Sequence, residues 1–161
     1  MNSKKNILLF LALLLPGLIF VMLKMFGKNQ FDVEPLYQTT APDLPGRCAN
    51  VVLPYGIPDS VMTKLSFDGD SLVCIHFNSS SGEANAQLQR AVDAFVSDPV
   101  KITSSNSLTH DSWKECIFFL KEPFDVVVVD RRGKIRGQYV ASDREEIDRM
   151  ITEITILLKK Y

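Results

Sequence analysis

The chain has 161 residues with 18 basic and 19 acidic side chains, a formal charge of −1, and 46% hydrophobic content. That balance gives no electrostatic case for nucleic acid, whose recognition starts from a basic face. No internal repeat is visible.

The first element is the uncharged apolar run Ile7–Leu23, extended by Met25 and Phe26 around Lys24. Thirteen of its residues are Leu, Ile, Phe or Val. At roughly −0.3 to −0.6 kcal/mol each, these favour insertion, offset by Pro16 and Gly17. As a helix, 7–26 is about 30 Å long, enough for one hydrocarbon core, and membrane helices tolerate a proline such as Pro16. The run ends in Lys24-Met25-Phe26-Gly27-Lys28 without a small-x-small cleavage site, and Thr39 and Ala41 lie too far downstream to supply one. An uncleaved single-pass anchor over residues 1–26 is therefore expected. Lys4 and Lys5 oppose Lys24 and Lys28, and the free amino terminus tips orientation toward an exported C-terminal domain. The expected location is the inner (cytoplasmic) membrane, with that domain in the periplasm or outside.

Residues 27–46, with Pro35, Pro42 and Pro45, read as a linker, leaving 47–161 as one domain. Cys48–Leu53 and Val61–Phe67, separated by Pro54, Gly56 and Pro58, read as a hairpin or strand pair. Ser71–Phe77 is nearly continuously apolar, as a strand covered on both faces requires. After Asn78–Gly82, the capping-box pair Ser80 and Glu83 opens a helix carrying Ala84, Leu88, Ala91, Val92 and Phe95, which Asp98-Pro99 stops. Val100–Thr103 reads as a second strand. Trp113, Cys116, Ile117 and Leu120 make a short amphipathic helix with Thr109 as its cap. Pro123 leads into Phe124–Asp130, whose four consecutive valines mark a central strand, and Gly133 suits the turn into the alternating strand Lys134–Val140. Ser142 and Glu145 cap the last helix, striped by Ile147, Met150, Ile151, Ile154, Leu157 and Leu158. The order β-α-β-α-β-β-α predicts an α/β, thioredoxin-like mixed sheet flanked by helices.

Asp125–Tyr139 followed by Asp143–Ile151 resembles the C-terminal end of the Sco/SenC family, membrane-anchored thioredoxin-fold proteins that deliver copper to, or reduce thiols in, cytochrome c oxidase. The close match covers about a quarter of the chain; elsewhere the order of elements agrees. The family holds copper through a Cys-x-x-x-Cys loop after the first core strand and a histidine before the central strand. Here the loop reads Phe77-Asn-Ser-Ser-Ser-Gly-Glu83, and Lys121-Glu-Pro-Phe-Asp125 precedes the strand, so the whole ligand set is absent. Cu(I) prefers thiolate and imidazole ligands, and serines run no disulfide exchange. The resemblance therefore implies a degenerate member: a non-catalytic binding or assembly module for a respiratory or envelope complex, with the bilayer and a protein as partners and no cofactor.

Cys74 and His76 are the one surviving soft-ligand pair, on one face of a strand; with Cys48 or Cys116 they offer the alternative of a copper or thiol protein with relocated ligands. The ordinary reading makes Cys74 a buried apolar residue and His76 a core or edge histidine. In an exported domain two of Cys48, Cys74 and Cys116 can pair, and the spacing does not choose. The Asn78–Gly82 amides suit an anion or water alone, and Pro123 either a cis or a trans bond. Arg131, Arg132, Lys134 and Arg136 form a basic hairpin tip, facing anionic lipid or solvent. His110-Asp111 reads as capping chemistry.

Overall fold

The computed structural model describes residues 12, 14–22, 24, 32–48, 51–77, 81–105 and 112–159. The chain divides into two compact units, Met1–Phe31 and Asp32–Tyr161. In the first, residues 12, 14–22 and 24 are helical, and its large apolar side chains from Leu14 to Met22 are 43–67% exposed. Among the described residues no helix is long and apolar enough to cross a membrane. Much of the expected 7–26 span lies outside them.

The second unit begins at Asp32 rather than at 47, because the proline-containing stretch packs onto the domain. Leu36 donates its amide to the Ile135 carbonyl at 2.8 Å, and Leu36, Tyr37 and Leu44 pad the core. The elements then follow as α1 (Asp59–Leu65), β1 (Leu72–His76), α2 (Gly82–Ala94), β2 (Val100–Ser104), α3 (Ser112–Cys116), β3 (Val126–Asp130), β4 (Ile135–Tyr139) and α4 (Arg144–Leu158). The expected strand over 61–67 is helix α1. Val61 and Leu65, four apart, bury one face, Asp59 supplies first-turn acid, and Ser66 ends the helix in the left-handed region. Among the described residues of 51–54 there is no strand either.

One four-stranded mixed sheet runs β2-β1-β3-β4. β1 pairs parallel with β2, Cys74 opposite Ile102, and antiparallel with β3, Cys74 opposite Val128. β1 and β3 are almost wholly buried, so they read as unbroken apolar runs. α2 and α4 cover one face, where Leu72, Cys74, Val126 and Val128 meet Leu88, Phe95, Ile147 and Met150. The other face is the more aromatic, with Val73, Ile75 and Val127 under Tyr55, Trp113, Phe118 and Phe119. Each such large side chain stabilises the fold by about 1.5–3 kcal/mol. Ser81 caps α2 by accepting from Ala84 N, and Asp143 caps α4 by accepting from Glu145 N and Glu146 N. The hydroxyl and carboxylate in use are thus neighbours of the predicted Ser80, which lies outside the described residues, and of Ser142.

β4 departs from simple alternation. Val128 faces Gly137 while Val129 faces Ile135, so Arg136 is an extra residue, a β-bulge. The slip sends Ile135 to the aromatic face and Tyr139 to the helical one. Tyr139 folds back over Gly137 and donates to Glu153 Oε2 at 2.6 Å, while the Arg149 guanidinium stacks 4.5 Å from its ring centre. A Cβ on Gly137 would lie 2.7 Å from Tyr139 Cε2 and closer still to the ring's hydroxyl end. That ring is fully buried and fixed at both ends, so it cannot step aside without losing the Glu153 bond. Gly137→Ala is expected to cost about 1–3 kcal/mol in a urea titration, the range for overpacking. Equal stability of the variant and the parent protein would contradict this account.

Candidate functional site

Two places on the domain concentrate chemistry. The first is the corner where β1 ends and α2 begins. His76 closes β1, opposite Val126 of β3 and Ser104 of β2. Phe77 N donates to the Asp125 carbonyl at 2.7 Å, and the Asp125 carboxylate accepts from Ala141 N at 2.7 Å. The Glu122–Pro123 bond is cis, as is Leu53–Pro54. Asn78, Ser79 and Ser80 lie outside the described residues, as do Thr109, His110 and Asp111. What is described at the start of α2 is Ser81, whose hydroxyl is engaged as the helix cap.

Cys74 is fully buried among the helix-side apolar residues, with Sγ 3.8 Å from Met150 Sδ. Burial pushes its thiol up to about 12. Protonated and sealed among apolar side chains, this thiol is not poised as a nucleophile. His76 Nδ1 is buried without a hydrogen-bond partner among the described residues. Burial lowers the imidazole pKa, opposed by the charge of Asp125. The folded state therefore prefers the neutral ring. His76's contribution is fully present above the unfolded histidine pKa of about 6.5 and is lost as pH falls from there through the lower folded value. In pH-dependent urea titrations, His76→Asn should flatten the stability profile below about 6.5; an unchanged profile would show that His76 does not carry this dependence.

The second place is a cleft of about 330 Å³ on the aromatic side, lined by Asp43–Pro45, Lys114, Glu115 and Phe119–Glu122. Leu44, Phe119 and Leu120 supply its apolar surface. Lys121 pairs with Asp43 at 2.8 Å and lowers its carboxyl pKa by hydrogen bond and by charge, and Arg47 pairs with Glu115. Both pairs are exposed, and such pairs contribute about 0–1 kcal/mol. A disulfide joins Cys48 to Cys116 beside this cleft, with the Cα atoms 5.2 Å apart. The reason for that pairing is topological. Cys116 belongs to α3, whose Trp113 is part of the aromatic cluster, and the loop of Cys48 reaches the same cluster through Leu44, whereas Cys74 points to the opposite face. Nothing in the spacing signalled the cleft, because one wall of it, Asp43–Pro45, comes from the stretch read as linker.

The comparisons with known proteins add no relative. No family model matches this chain, and no curated protein matches it. Among the described residues no group of three or more His, Cys, Asp or Glu side chains is placed to hold a metal ion. The relocated set of Cys74, His76 and a further cysteine is not assembled, since Cys48 and Cys116 are bonded to each other. The basic hairpin tip is likewise partly consumed. Lys134 Nζ donates to the Tyr55 carbonyl at 2.6 Å, and Arg136 donates to Asp130 at 2.8 Å and to the Val33 carbonyl at 2.9 Å.

Proposed function

We propose that this chain is a membrane-tethered, exported thioredoxin-like domain, a degenerate relative of the Sco/SenC proteins, that acts as a non-catalytic binding or assembly module for a respiratory or envelope complex. The sheet order β2-β1-β3-β4, with β1 parallel to β2 and a β3–β4 hairpin before the last helix, supports the thioredoxin-like arrangement. The Cys48–Cys116 disulfide fits an oxidising compartment. The outward apolar side chains of residues 14–22 fit a lipid environment.

The observation that carries the non-catalytic reading is the fate of the three cysteines. Two are bonded to each other, and the third is sealed in the core. Thiolate chemistry needs a sulfur that can ionise and be reached, which Cys74 is not, and the Cys48–Cys116 pair, 68 positions apart, lacks the short spacing of a catalytic redox loop. Co-purification of the tagged full chain from solubilised membranes tests the proposal. A stoichiometric protein partner is expected, together with no tight Cu(I) binding in competition with a chelator. Stoichiometric Cu(I) binding that disappears in Cys74→Ser would overturn it. An alkaline phosphatase fusion after Tyr161 checks the orientation, with activity expected.

A further inference from the structure

Between Tyr37 and Tyr55 the chain makes an Ω-like excursion whose two ends meet, Tyr55 N donating to the Tyr37 carbonyl at 3.0 Å. The ends are well fastened: Leu36 N bonds to Ile135 O, and Gln38 Nε2 reaches the carbonyls of Leu36 and Tyr55. The middle is not. For residues 39–48 the one main-chain bond among the described residues is local, Cys48 N to Pro45 O at 2.9 Å. Beyond it the loop meets the body of the domain through the half-buried Leu44, the exposed pairs of Asp43 and Arg47, and the disulfide to Cys116. Asp43, Leu44 and Pro45 of this stretch line the cleft together with Phe119 and Leu120, while Tyr37 and Tyr55 at the loop's fastened ends pack on the Phe119 ring.

We propose that the Cys48–Cys116 disulfide is a redox-operated clasp that holds residues 39–48 over the Phe119–Leu120 cleft and releases them on reduction. Cys48 and Cys116 are half-buried and within reach of a small dithiol, unlike Cys74. A thiolate of the dithiol attacks one sulfur and forms a mixed disulfide, expelling the other cysteine as thiolate. The second thiol of the reagent then displaces the remaining cysteine. Two electrons and two protons pass to Cys48 and Cys116, and the dithiol leaves as its own disulfide. With the clasp undone, the side-chain ties of the loop among the described residues are weak ones, the half-buried Leu44 and Pro45 and two exposed ion pairs, a set that opens locally without unfolding the sheet. The inference stands on loop geometry and does not depend on the assembly role proposed above.

Trypsin distinguishes the outcomes, because cleavage after Arg47 reports the loop and cleavage after Arg90, inside α2, reports unfolding of the domain. The full chain in detergent micelles is digested oxidised, reduced with dithiothreitol and capped with iodoacetamide, and as the Cys48→Ser/Cys116→Ser variant. Slow cleavage at both sites is expected when oxidised. When reduced, cleavage after Arg47 should run at least about tenfold faster than after Arg90. Equal cleavage after Arg47 in the oxidised and reduced forms overturns the proposal. So does a joint rise at both sites, including in a double variant that fails to fold, since the bond would then be a staple of the whole domain. Leu44→Gln with the disulfide intact should stay uncut at Arg47; rapid cleavage there would make Leu44 the lock and also overturn the proposal.

Discussion

Asp130→Ala should lower the unfolding free energy by about 3–5 kcal/mol, the range for stripping one partner from a buried ion pair. Asp130 is fully buried at the end of β3. Its Oδ1 accepts from the Arg132 and Lys134 amides, each at 2.9 Å, and its Oδ2 accepts from Arg136 Nε at 2.8 Å. One carboxylate thus closes the β3–β4 turn, fixes the bulge and neutralises a guanidinium only 11% exposed. Alanine removes this carboxylate from a guanidinium that keeps its bond to the Val33 carbonyl. Asp130→Asn keeps an acceptor for the turn amides and should fall between the two. Pairing Asp130→Ala with Arg136→Met measures the coupling of the two side chains, and the double variant should lose less than the sum of the single losses. Urea titration followed through the single tryptophan, Trp113, which sits in the aromatic core, provides the measurement. A loss below about 1 kcal/mol for Asp130→Ala would mean that the carboxylate is not the keystone of this turn.

Removing the disulfide should cost nearly as much by a different route. Cys48 and Cys116 are 68 positions apart. On the chain-entropy model, closing a loop of that length takes about 4 kcal/mol from the freedom of the unfolded ensemble. Cys48→Ser/Cys116→Ser should therefore shift the urea midpoint downward by that equivalent, with Cys74→Ala shifting it less. This penalty acts through the unfolded state, whereas release of the 39–48 loop acts through the native one. The two are separable because loop release exposes little surface and depends weakly on urea, while global unfolding depends on it steeply. A double variant as stable as the parent protein would contradict the entropic account.

The sheet and its last helix were legible because their signals are strong and local. Four consecutive valines before Asp130, a glycine at positive φ in the turn and a stripe from Ile147 to Leu158 leave little competition. Helix α1 was misread because Val61 to Phe67 is short, and a run that short fits either period; Pro58-Asp59, a helix-start signal, was the cue that separates them. The bulge at Arg136 has no sequence mark, since Ile135, Gly137 and Tyr139 alternate as a plain strand would. Residues 27–46 looked like a linker on composition, although the chain from 33 onward packs on the domain. That attachment depends on bonds to Ile135, Arg136 and Cys116, which are distant in sequence. The disulfide was open for the same reason, because only the sheet decides which cysteines share a side. At the strand-to-helix corner the sequence puts Cys74 and His76 on one face with Cys48 or Cys116 as a third ligand, and what it does not carry is the burial of that thiol, the closeness of Asp125 and the bond between the other two cysteines.

The hydrogen bond from Leu36 to Ile135 also bears on how such a chain is made. Synthesis is vectorial, and here the earliest part of the domain seats itself against β4, nearly the last part to emerge. Until that hairpin exists, Leu36, Tyr37 and Leu44 have no finished surface to cover, and the aromatic side of the sheet stays open to water. Contacts so far apart along the chain form late and slowly. A nascent form bearing exposed aromatic residues is open to aggregation until β4 arrives to close that side of the sheet.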